Sequence, residues 1–222
     1  MIRICALAAV ALSILAQYAI WFYAPVEQTM GEVQKIFYTH MPMAWWSLVS
    51  FFVVFVASIL YLAKRRDAYA RLAGAAAELG VLMSGLALAT GMCWAKPIWG
   101  VWWTWDPRLT TTLVMWFVYA AYLLLRASDV GGQRKDTVLA VLGVVAFLDV
   151  PLVFISARYW RSIHPAVLGS QGGGMEPEMW LAMAANLVAM GLLWLALLLV
   201  RTKQLAAGAA VTALLRHGST RN

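Results

Sequence analysis

The chain is 222 residues long, 63% apolar and only 12% charged, with a mean hydropathy of +0.75. Ordinary soluble proteins carry roughly 25% charged residues. A fold of this size cannot hide that much apolar surface from water, which excludes a soluble globular domain, a disordered chain and a nucleic-acid binder. The solvent is a bilayer, so the net charge of +7 bears on orientation in a membrane rather than on a polyanionic partner.

A hydrocarbon core about 30 Å thick takes about 20 helical residues. Six stretches supply them, at residues 4–23, 43–63, 74–94, 111–125, 137–157 and 179–200. The first has an apolar run about twice that of a secretory signal and reads as a retained helix. Pro42, Pro107 and Pro177 stand at or near helix starts, and Asp106 is placed to cap the fourth span. The fifth span contains Asp149 beside Pro151, where a kink is expected, and the third carries Glu78 about one turn from its end, within reach of the headgroups. Gly80, Ser84 and Gly85 mark a face for close helix packing. Cys5 and Cys93 are far apart, lie in apolar runs and read as buried, inert thiols.

Twelve of the seventeen basic residues fall at one end of these spans: Arg3, the loops after the second and fourth spans, and the tail after residue 200. The positive-inside rule puts that end, with both termini, in the cytoplasm. The fold class that follows is an all-α polytopic membrane protein with six transmembrane helices and Trp-rich periplasmic loops. Its domains are one six-helix unit over residues 1–203 and a basic cytoplasmic tail over 204–222. The opposite-side segments, 24–42, 95–110 and 158–178, hold or adjoin all the tryptophans except Trp116 and Trp194.

Five tryptophans, Trp94, Trp99, Trp102, Trp103 and Trp105, fall within twelve residues, interleaved with Gly100 and closed by Asp106 and Arg108. An interfacial belt scatters indoles at span ends. A cluster this dense instead makes a platform for a large, flat aromatic ligand. His40 precedes the second span and His164 follows the fifth, on the same side, whereas His217 lies in the tail. Two imidazoles with no third His and no Cys fall short of a zinc site but fill the two axial positions of haem iron. Lys96, Arg108, Arg158 and Arg161 stand on that side as candidate partners for haem propionates. A membrane b-type cytochrome or other haem-dependent electron carrier is the alternative, although both histidines lie on one side of the bilayer. No catalytic thiol or acid–base pair accompanies the motif, so no enzymatic role is expected.

The stretch Trp99-Gly-Val-Trp-Trp-Thr-Trp-Asp-Pro-Arg-Leu-Thr110 resembles the WWD signature of the haem-handling proteins of cytochrome c biogenesis. Six spans, a His before the second and another after the fifth, and Lys35-Ile-Phe-Tyr-Thr-His40 followed by Pro42 and Ala44-Trp45 resemble the CcmC family in particular. The resemblance implies an inner-membrane protein of bacteria with its working face in the periplasm. It implies non-covalent, transient binding of haem b by His40 and His164, over a platform running from Trp99 to Asp106. It also implies partners: the haem chaperone CcmE, the ABC-type subunits CcmA and CcmB, and the small membrane protein CcmD.

Overall fold

A computed structural model describes residues 2–128, 132–160 and 175–219. Lipid offers no hydrogen bonds, so a spanning segment must satisfy its backbone within itself, and the described residues are accordingly almost entirely helical. The helices are α1 (Ile2–Tyr18), α2 (Phe37–Lys64), α3 (Asp67–Trp99), α4 (Pro107–Ala127), α5 (Lys135–Ala146), α6 (Asp149–Tyr159) and α7 (Pro177–Ser219). Six helical stretches among them, with α5 and α6 counted as one, are long and apolar enough to cross a membrane.

The elements are longer than the hydropathy suggested. With 28 and 33 residues, α2 and α3 run about 42 and 50 Å at 1.5 Å per residue. Each therefore extends past the hydrocarbon on the side where the tryptophans lie. His40 and Pro42 fall inside α2, and Trp94 to Trp99, with Pro97, inside α3. The expected loop starts at 24 and 95 are corrected in the same way. Pro107 and Pro177 do stand first in their helices, and Asp106 caps α4 by accepting the Arg108 N–H at 2.9 Å. The sixth span does not stop at 200: α7 continues through the tail to Ser219 as one helix.

The fifth span is not one helix. It breaks at Phe147–Leu148 between α5 and α6. Pro151 has no N–H to give the Phe147 carbonyl, and its ring crowds that carbonyl. The turn tightens there, with Leu148 N donating to Val145 O and Val150 N to Phe147 O at 3.1 Å.

The centre is the antiparallel α2–α3 pair, flanked by α4 on α3, α5 on α2 and α7 across both; α6 lies on α4, and α1 packs on α7. Small residues let the helices approach, as expected for Gly80, Ser84 and Gly85. Phe51 of α2 occupies the space a Cβ at Gly80 would take and stacks on Tyr119 at 3.7 Å, while the Trp116 indole lies 3.0 Å from a Cβ placed at Gly85. Indole N–H groups then join the helices: Trp46 donates to Leu187 O at 2.9 Å, Trp116 to Val81 O at 3.1 Å and Trp194 to the Ser50 hydroxyl at 2.7 Å. Such bonds hold better in lipid than apolar contact does, because lipid tails compete for the latter.

Two expectations about single residues are overturned. Glu78 lies three turns inside α3, and its carboxylate takes both forks of the Arg201 guanidinium from α7, so the acid is paired within the bundle rather than reaching for headgroups. Cys93 is exposed and Cys5 half-buried, because they sit on helix faces that lipid rather than protein covers.

Candidate functional site

The Trp-rich end of the bundle holds an open cavity of about 690 Å³, within the range of cofactor-sized pockets. Its walls come from His40 and Ala44 of α2, from one face of α3 running from Ala87 to Trp99, from Trp102 and Trp103, and from Leu109 and Thr112 of α4. Residues Ala87, Gly91, Trp94, Ala95 and Ile98 recur every three or four positions, so a single helical face supplies most of the apolar lining. This face was missed from sequence beyond Trp94, because Pro97 argued for a helix end. Its spacing continues unbroken through Ile98 and was the available signal.

His40 is held by α3. Its Nδ1 lies 3.0 Å from the Ala87 carbonyl oxygen and 3.2 Å from the Thr90 hydroxyl oxygen. A carbonyl only accepts, so Nδ1 carries the proton and donates it. The Thr90 hydroxyl donates in turn to Leu86 O at 2.8 Å, which leaves its oxygen able to accept from the imidazole. With Nδ1 protonated, Nε2 bears the lone pair, the state in which a histidine ligates metal. The orienting threonine is therefore Thr90 on the neighbouring helix, not Thr39.

Gly91 makes the room for this ring. A Cβ there would meet the imidazole Cε1 at 3.2 Å, tighter than ordinary van der Waals contact. The Trp94 ring lies 6.1 Å from the imidazole and 5.8 Å from Phe37, and backs the histidine from inside the protein. Trp103 meets Trp105 edge to face at 5.8 Å.

Of the sequence-predicted residues, His40, Trp94, Trp99, Trp102 and Trp103 come together around the cavity; Gly100, Trp105, Asp106 and Arg108 do not line it. Gly100 instead ends α3 in the left-handed region (φ 75°), with its N–H on Lys96 O at 3.0 Å, a conformation that a side chain would oppose. Asp106 is nearly buried in its capping role, and Trp105 is 76% exposed. Lys96 Nζ donates to the Gly100 carbonyl at 2.8 Å. Arg158 lies in α6, but its side chain, together with Arg161 and His164, falls outside the described residues. No cluster of three or more metal-ligating side chains occurs among the described residues.

The residues present fit a haem. The histidine is in the ligating tautomer, a glycine clears its edge, and indoles line the cavity beside it. Residues 1–215 match the sequence model of the CcmC family, heme exporter protein C. The chain is 31% identical to heme exporter protein C of Rhodobacter capsulatus over 82% of its own length and 77% of that protein. It is 31% identical to that of Paracoccus denitrificans, over 83% and 78%. A ccmC-like mitochondrial protein of cytochrome c biosynthesis from Marchantia polymorpha is 30% identical over 73% of this chain and 68% of the relative.

Proposed function

We propose that this chain, which belongs to the CcmC family of haem exporter proteins, holds haem b at the periplasmic face of the bacterial inner membrane and passes it to the chaperone CcmE. The family places it in a haem-handling role within cytochrome c biogenesis. The finer reading rests on one observation: His40, locked in the Nδ1-protonated form by Ala87 O, lines the same cavity as Trp94, Trp99, Trp102 and Trp103.

In this reading the Nε2 of His40 supplies one axial bond to the haem iron and His164 the other. The indoles of Trp99, Trp102 and Trp103 face the porphyrin and keep water from it. The haem is held by coordination and apolar contact alone, which suits a protein that must release its cargo. CcmA, CcmB and CcmD are its partners in the membrane, and no enzymatic step is assigned to it. The periplasmic placement follows from the twelve basic residues at the opposite end.

The test is the absorption spectrum of the purified, haem-loaded protein. Two axial imidazoles give a low-spin six-coordinate iron. His40→Ala and His164→Ala are each expected to shift the spectrum to high spin or to lose the haem, while His217→Ala leaves it unchanged. A low-spin spectrum that survives the double His40→Ala, His164→Ala change would overturn the ligand assignment.

A further inference from the structure

Within Trp103–Thr110, the segment that closes the cavity at its rim, three buried polar atoms have no hydrogen-bond partner among the described residues: Trp103 Nε1, Thr104 Oγ1 and Thr110 Oγ1. The rest of the fold does not treat these groups this way. Trp46, Trp116 and Trp194 each give their N–H to an acceptor. Of the consecutive threonines on α4, Thr111 and Thr112 bond the Pro107 and Arg108 carbonyls at 2.8 and 2.7 Å, and only the Thr110 hydroxyl stands apart. A buried donor left unmade is costly, and a native fold keeps one where something else completes it.

We infer that Trp103 Nε1, Thr104 Oγ1 and Thr110 Oγ1 form a neutral receptor for the carboxylates of the cargo, which in the reading above are the haem propionates. The inference rests on that reading. Two of the cationic candidates are engaged elsewhere: Lys96 caps α3 through Gly100 O, and Arg108 lies within electrostatic reach of the Asp106 carboxylate. A carboxylate only accepts hydrogen bonds, whereas an indole N–H and two hydroxyls can all donate. Bonds of this kind to an ionised acceptor are short and strong. Neutral donors also suit a site that empties. A cationic pocket that lost its anion would bury an unpaired charge, a far larger penalty than an unmade hydroxyl bond. The receptor therefore selects for the carboxylates while leaving the vacated site tolerable.

The experiment compares titrations of the full-length protein with haem and with haem dimethyl ester, in which both carboxylates are masked, and reads affinity and iron spin state by absorbance. The wild-type protein is expected to bind haem about 10-fold or more tighter than the diester, the scale of a hydrogen bond to a charged group. Thr104→Val with Thr110→Val keeps the shape and removes the hydroxyls. This variant is expected to lose affinity for haem but not for the diester, with the axial spectrum intact; the single Thr104→Val change gives a smaller loss of the same kind. Equal wild-type affinities overturn the inference, as does a variant that weakens both ligands alike or neither, since the hydroxyls would then be structural or hold only water. Failure of the haem-binding proposal would look different, with neither porphyrin showing ligation that depends on His40.

Discussion

At the basic end of the bundle the long polar side chains are spent on the protein itself. Arg201 pairs with Glu78, Arg65 donates to the Thr137 hydroxyl at 2.7 Å, Arg126 to Ala70 O at 3.3 Å and Lys135 to Ser128 O. Around the cavity at the other end the reverse holds. Indoles and hydroxyls stand without internal partners, and Trp102 and Trp105 are mostly exposed. Both ends lie at the same kind of boundary, between hydrocarbon and water, so the membrane does not explain the contrast. An end whose groups satisfy one another is a fastening; an end that leaves donors and aromatic surface unsatisfied is shaped for something that comes and goes.

The comparison can be broken most completely by its orientation. Topology reporters fused at Lys135 and at Gly173 are expected to read cytoplasmic and periplasmic respectively, an all-or-none outcome. The inverted result would put the haem cavity in the wrong compartment for delivery to a periplasmic chaperone. A sharper test sets one change at each end side by side. Gly91→Val drives methyl groups into the His40 imidazole, so haem affinity should fall about 10-fold to 100-fold, the range for disturbing the groups that orient a ligand. The unfolding temperature should move little. Glu78→Gln should do the opposite, lowering stability while haem affinity stays put. The cost should be no more than about 1 kcal/mol, because the side chains of the pair are 31% and 40% exposed. If both variants changed the same quantity, the two ends would not be functionally distinct. The smallest effect is expected at Trp105, which is exposed and off the cavity wall. Trp105→Ala should leave stability within about 0.5 kcal/mol and haem retention at wild-type level. A large loss of haem there would move the platform outward from the cavity described above.

Much of this protein was legible from residues alone, for a physical reason. A bilayer allows few architectures, so composition and six apolar runs determined an all-helical, six-span protein. Capping chemistry is local, so Asp106-Pro107 could be read as the start of α4 without any tertiary contact. The clustering of Trp94, Trp99, Trp102 and Trp103 beside His40 in one functional surface was legible too, because no belt of interfacial tryptophans is so dense. What sequence could not decide is where a helix goes once protein rather than lipid surrounds it. Pro42 and Pro97 read as boundaries, yet both sit inside helices, since packing between α2 and α3 outweighs one missing backbone bond. Pro151 did break its span, where Asp149 adds a buried polar group beside it. Nor could sequence assign partners across 47 residues of chain, as between His40 and Ala87, or separate Gly91, which clears the imidazole, from Gly100, which turns the chain. Hydropathy and motif density are properties of the chain and survive without its fold. Tautomer, clearance and unsatisfied donors are properties of neighbours, and only the tertiary structure brings neighbours together.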